Sequence, residues 1–416
     1  MNARIIAVLL IVAAAIAVVF YQLGQHDSKQ HQAGISRGVG EDRGLEQVDT
    51  VQTPQVRQLN EGGKTGLVGN GNIAHFEIGN RNVKSLFADG PLLWLATSGG
   101  VIRYDSTSDD YTVFNNKTPG ILSNGIFHVS KMQNRIAVGT YGGGLSLLDP
   151  ATGQWTNINI PQGLADQFVY DLQLDRNGDV WVATWSGVNR IKGARFDDPA
   201  AWETFTVEST QGGLPNPWVY GVEEGKNGEM WFATEAGLAR YRDGKWENWQ
   251  HPQGLGAPFE IVKDAIQFTN DPAKTSKHHA QQKAEQGMEG VDVAYNPNYI
   301  ISLEVGDDGT VWCGTWGGGL SRFDGQQFRN YTTSEGLPGN HIFMLYKDPG
   351  GTLWVGTSKG LSRFDVGNET FQTISSREGL YADNVFSMAA APDGSMWVGS
   401  FGGVARLSGE GWPFSP

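Results

Sequence analysis

The chain has 416 residues, among them 57 Gly, 14 Trp and 19 Phe, with a formal net charge of −13 and one cysteine. That acidity, with no strongly basic block, argues against a nucleic-acid partner and against adhesion to anionic lipid. The lone Cys313 cannot form an internal disulfide, so packing must hold the fold, and a buried strand position suits this thiol better than redox chemistry.

The first element is an uncharged apolar run over residues 5–20, IIAVLLIVAAAIAVVF. At 1.5 Å per residue it spans about 24 Å, and residues 21–23 extend it toward the ~30 Å hydrocarbon core of a bilayer. Arg4 on its N-terminal side keeps that end in the cytoplasm by the positive-inside tendency. Residues 1–23 are therefore expected to be one transmembrane helix, a signal anchor, with the remainder periplasmic or extracellular. The alternative is a cleaved signal peptide, because Ala15–Ala17 reads AIA, but Val18, Val19 and Phe20 continue the apolar run past that point. Residues 24–69 are polar and aperiodic, the composition of a flexible linker.

From about residue 70 to 416 the chain repeats itself. ISLEVGDDGTVWCGTWGGGLSRFDGQQFRNYTTSEGLPGNHIF is followed at once by MLYKDPGGTLWVGTSKGLSRFDVGNETFQTISSREGLYADNVF. Corresponding tryptophans are Trp94, Trp181, Trp231, Trp312, Trp354 and Trp397, with Ile136 taken as the replacement in the second copy. Each copy reads as four short antiparallel strands joined by Gly and Asp turns. One such sheet cannot bury both faces, whereas sheets stacked around an axis can. The expectation is an all-β fold, a seven-bladed β-propeller of four-stranded blades preceded by the membrane helix. Each repeated Trp should fill the gap between adjacent blades, worth roughly 1.5–3 kcal/mol of burial. The last copy retains only GWPFSP for its fourth strand, so Ile73 to Ile78 is expected to complete that blade and close the ring.

The unit D-x-x-G-x-[LMV]-W-x-[AG]-T-x-x-G-L-x-R-[FY]-D, followed by Y-T-x-x-x-G-L, resembles the two-component regulator propeller repeat of periplasmic sensor domains in hybrid histidine kinases. The resemblance covers Ile73 to about Pro416. It implies extracytoplasmic sensing of a ligand or partner; no kinase segment follows the repeats, so it does not imply phosphorylation by this chain.

In such a propeller, the turn between second and third strands and the crossover to the next blade share one face. Aligned copies place Tyr141, Trp185, Glu235, Trp316 and Phe401 on the turn, Asn340 and Asp383 on the crossover, and Trp218, Tyr299 and His341 beside it. Unlike the blade Trp, the turn position does not repeat, which suits a binding rim built on a regular scaffold. These ten residues are the candidate rim for a small polar or glycan-like ligand or an envelope protein, such as a separate sensor kinase; the other reading is that they only cover the channel mouth. An insertion at about residues 256–296 lies in the crossover from the fourth to the fifth copy. It reads as a short polar helix starting near Asp271 and Pro272, either a lid or docking arm or a solvated loop. His278 and His279 are adjacent, so on a helix they should point apart and not chelate a metal. The DRNGD, GDDG and APDGS segments lack a calcium-loop ligand series and are explained as hairpin turns. No cofactor, metal or catalytic residue is assigned. The expected function is a non-enzymatic sensor or scaffold; the alternative is a lyase or hydrolase at the channel mouth, as in streptogramin-inactivating lyases, with His341 and Glu235 as acid and base.

Overall fold

The Asp-rich turns are self-contained local units. Asp348 Oδ1 accepts the backbone N–H groups of Gly350 and Thr352, each at 2.9 Å, so one carboxylate fixes a tight turn between two strands. Repeated along the chain, such turns generate the strands of a computed structural model that describes residues 62–64, 67–69, 72–117, 120–266, 271–288 and 290–409. The expected membrane helix, most of the linker and the segment GWPFSP lie outside the described residues. Among the described residues no helix is long and apolar enough to cross a membrane.

The architecture is an all-β propeller. Five four-stranded antiparallel sheets stand separately: Ile126–Ile158, Val169–Phe205, Val219–Trp249, Asn296–Tyr331 and Ile342–Ile374. The remaining strands form one eight-stranded sheet through a long strand, Ile73–Asp89. Its first half pairs with the C-terminal strand Met396–Leu407 (Ile73 opposite Leu407, Phe76 opposite Val404), and its second half pairs with Leu92–Thr97. The expected junction of the two ends is present. The inner strands contact one another in a closed cycle, the last of them, Val385–Ala390, against Ile73–Asp89.

The core lies between sheets. Trp181 is 1% exposed and packs with Val219, Val222 and Phe232 of the next sheet, and Trp94, Trp231, Trp312 and Trp354 each repeat this contact with their own neighbours. Opposite each Trp on the third strand stands an arginine: Arg190 faces Trp181, and Arg240 faces Trp231, each guanidinium 5.3 Å from the ring. In the second copy the strand register places Ala137, not Ile136, at the Trp position, opposite Leu147 where the arginine would be. The Ile136 alignment is thus one residue out, because that copy replaced both members of the pair. Cys313 is fully buried on its strand and free, and desolvation pushes its thiol well above the usual range.

Candidate functional site

The turns between second and third strands do meet the crossovers at one face, and the bonds that join them are regular. The Gly100, Gly142, Gly187, Gly319 and Gly360 N–H groups donate to the carbonyls of Asn124, Gln167, Pro217, Asn340 and Asp383 in the next blade, at 2.7–3.2 Å. Gly187 has φ +107° and a side chain there would start 2.1 Å from the Phe205 carbonyl oxygen, so this stitch requires glycine. The crossover side chains hold loops rather than face solvent: Asn340 Oδ1 accepts from Thr333 N at 3.0 Å, and Asp383 Oδ1 from Ser376 N at 2.7 Å.

The aromatic members of the expected rim pack on one another. Trp185 stacks between Phe168 (4.3 Å) and Trp218 (4.7 Å), and Tyr141 meets Phe168 edge-on at 4.7 Å. Tyr299 and Trp316 stack at 5.9 Å, with Phe401 packed against the same group. Trp185, Trp218, Tyr299 and Trp316 are buried, while Tyr141, Asp383 and Phe401 are half-buried. His341 meets Trp316 edge-on and its Nε2 lies 2.8 Å from the Ala294 carbonyl. Burial lowers the pKa of His341 to about 4, leaving it neutral at pH 7.

What covers these aromatics is the insertion. It contains a one-turn helix α1, Phe259–Val262, and a second helix α2, Lys277–Glu285, entered through a turn that Asp271 caps by accepting from Ala273 N. The segment has its own apolar cluster around Val262 and Tyr295, and buried Lys283 donates to the Val291 and Val293 carbonyls at 2.8 Å while pairing with Asp271. The histidines do not diverge as expected. His278 Nε2 lies 3.2 Å from Glu235 Oε2 and His279 Nε2 lies 2.9 Å from Oε1, so the two imidazoles reach the two oxygens of one carboxylate. His278 also stacks on Trp218 at 4.0 Å. Burial alone would raise the Glu235 pKa, but His279 and His278 outweigh it and hold the carboxyl below its ordinary range. Glu235 and His341 are therefore engaged with different partners and do not assemble the acid–base pair considered above. Beneath α2, Ser276 Oγ, His279 Nδ1 and both amide atoms of Gln282 are buried with no protein partner.

Below this layer lies a second ring that the sequence reading missed. Each inner strand slips register against its neighbour at the same place, and the extra residue is Lys84, Phe127, Tyr170, Tyr220, Ile301, Phe343 or Phe386. A bulge bends its strand and re-aims the inserted side chain. All seven line one central cavity of about 270 Å³. Phe127 and Tyr170 lie 4.3 Å apart, Tyr170 and Tyr220 4.7 Å, and Phe343 and Phe386 5.3 Å. The signal was available: these positions sit two residues beyond Asn82, Gly125, Phe168, Trp218, Tyr299, His341 and Asn384, and five of the seven are aromatic.

The two-component regulator propeller model matches residues 163–186 and 336–359, each a crossover followed by the first two strands of a sheet. The fold is similar to the extracellular domain of a hybrid two-component system from B. thetaiotaomicron, with TM-score 0.60, 18% identity, and coverage of 80% of this chain and 40% of that one. It is also similar to a streptogramin B lyase (TM-score 0.55, 14% identity, 81% and 97% coverage) and to a virginiamycin B lyase from Staphylococcus aureus solved with quinupristin (TM-score 0.55, 10% identity, 81% and 98% coverage). At such identities the likeness concerns the fold. The chain spans about two fifths of the length of the B. thetaiotaomicron domains it matches. No curated protein sequence matches it.

Proposed function

We propose that this chain, which carries two-component regulator propeller repeats, is a seven-bladed, non-enzymatic sensor or scaffold module that binds a small ligand at the aromatic mouth of its channel. The five separate sheets and the two halves of the joined sheet supply the seven blades. Residues 1–23 hold the propeller outside the cytoplasmic membrane, in keeping with its likeness to extracellular domains of one- and two-component systems. A separate envelope protein, such as a sensor kinase, receives the signal.

One observation carries the ligand reading: a histidine-clasped helix covers a buried aromatic layer while its own underside keeps unpaired polar atoms. Each buried polar group without a partner costs about 1–3 kcal/mol, so a cover of this kind gains when a polar ligand, or water, completes it. The lyase alternative draws on the fold likeness alone, since the acid and base it needs are not together.

The test is a thermal-shift panel of small polar and flat compounds against the intact protein, Trp218→Ala, and a variant in which a short Gly-Ser linker replaces residues 259–293. Intact protein is expected to be stabilised by a subset of compounds, by about 2.7 kcal/mol at a hundredfold excess over Kd, and both variants to lose most of that effect. Equal shifts in all three proteins would remove the mouth as the site. Turnover of any compound, abolished by Glu235→Gln, would restore the enzyme reading.

A further inference from the structure

We infer a second site, away from the mouth: a cleft between the sheets Ile126–Ile158 and Val169–Phe205 that takes a small, neutral aromatic molecule. In two other copies three residues fill the corresponding interface as a unit. Asp175 accepts from Trp181 Nε1 at 2.9 Å while Arg190 stands opposite that Trp, and Asp348, Trp354 and Arg363 repeat the arrangement. The second copy replaces all three. Its strand register puts Met132 at the aspartate position, Ala137 at the tryptophan and Leu147 at the arginine. With the indole and both charged groups gone, Met132 and Leu147 line a cavity of about 390 Å³. This lies within the ~300–1,000 Å³ usual for small-molecule sites. It opens beside the turn at Gln133 and Asn134, at the strand ends opposite the mouth.

The third copy departs from the repeat at the same cleft. Residues 192–201 join its third and fourth strands, where the next sheet turns within Asp243 and Gly244. This longer connection is tied down: Gly193 N donates to Asp179 Oδ1 at 2.7 Å, and Trp202 Nε1 to the Phe196 carbonyl at 3.3 Å. It carries Phe196 and Arg195 to the cavity. Gln133 (φ +56°) and Ala194 (φ +53°) also line it, both in the left-handed region that favours glycine. The departures of two copies thus meet at one place, where other interfaces hold an indole. The groups gathered there select a ring over a hydrocarbon of equal size. Met132 brings a thioether, Phe196 a ring, and Arg135 and Arg195 guanidinium groups, each of which is attracted to an aromatic ring. Asp197 and Asp198 line the cleft as well, so its cations are balanced and a neutral ligand is favoured.

Two probes share one skeleton and differ in aromaticity: 2-naphthalenemethanol and decahydro-2-naphthalenemethanol. Binding to the full-length protein is measured by titration calorimetry. The aromatic alcohol is expected to bind about fivefold tighter than the saturated one. Phe196→Leu should shrink that preference to about twofold or less, because the stacking partner is lost. Leu147→Trp returns an indole to the cleft and should abolish binding, while Trp218→Ala at the mouth should leave it unchanged. Unfolding midpoints show whether each variant folds; Leu147 is buried but Phe196 only half-buried, so Phe196→Leu carries the test if Leu147→Trp does not fold. Equal affinity for the two alcohols, no binding at millimolar concentration, a preference unaltered by Phe196→Leu, binding that survives in a folded Leu147→Trp, or binding lost in Trp218→Ala each overturn the assignment.

Discussion

At the scale of single residues, the first hairpin turn of a blade and its buried tryptophan are one unit. Asp348 uses Oδ1 to cap its own turn and Oδ2 to accept from Trp354 Nε1 at 2.9 Å; Asp175 treats its turn and Trp181 in the same way. Asp348→Ala removes three acceptor contacts, one of them from a buried indole N–H, so it should destabilise by about 2–3 kcal/mol in urea unfolding. Asp365→Ala, at an exposed outer turn, should lose no more than about 1 kcal/mol. Equal losses would show that the indole bond contributes nothing. The turn and its Trp were legible because both recur at fixed spacing. The second copy was misread because a recurring marker is the only guide to register. Ala137 and Leu147 replace Trp and Arg together, which keeps the pair complementary while erasing the signal.

Among elements, α2 was the least legible. It has no apolar stripe to announce which face docks, because its attachment is polar: histidines on a carboxylate, a ring on Trp218, a buried lysine on carbonyls. Adjacent helical residues leave the axis about 100° apart, yet a carboxylate offers two oxygens, and long imidazoles can converge on it. Placement of Glu235 at the mouth was readable from the repeat; its partners were not. The clasp has a definite pH signature. Glu235 has a folded pKa below its ordinary value, so its contribution is complete above the unfolded value of about 4.3 and is lost as pH falls through the folded one. Hydrogen exchange should therefore find Lys277–Glu285 protected at pH 6, with protection declining toward pH 3. Glu235→Gln should weaken that protection throughout. In the double variant His278→Ala, His279→Ala, burial acts on Glu235 unopposed, so its pKa should rise and the carboxyl should become neutral at a higher pH. Protection that ignores both variants would mean the apolar cluster around Val262 and Tyr295 holds the segment unaided.

For the molecule as a whole, the question is what keeps a ring of sheets from opening. Most interfaces join sheets that are consecutive in the chain, but the seam joins its two ends through backbone pairing within one sheet. This closure was legible because a strand lacking its own hairpin preceded the first repeat. The belt left a sequence signal, aromatics two residues beyond the crossover, but it went unread because the extra residue of each bulge breaks the strict alternation by which a strand's two faces are assigned. Phe76 and Ile78 on the closing strand are fully buried, Phe76 lying 5.7 Å from both Tyr104 and Tyr111 on the strands Gly100–Asp105 and Asp110–Phe114. Phe76→Ala should destabilise by about 3–5 kcal/mol, and the location of the loss is the informative part. If the seam is the weakest joint, exchange should rise first and together in Ile73–Ile78 and Gly403–Leu407, while Val169–Leu174 on the far side stays protected. Removing residues 1–79 should go further: the exposed edge at Gly403–Leu407 becomes a template for another chain, and self-association should appear in sedimentation where removal of residues 1–71 leaves a monomer. Uniform loss of protection in every sheet would instead mean that the ring opens only by unfolding as one unit, with the aromatic belt and the tryptophan interfaces supplying the cooperativity.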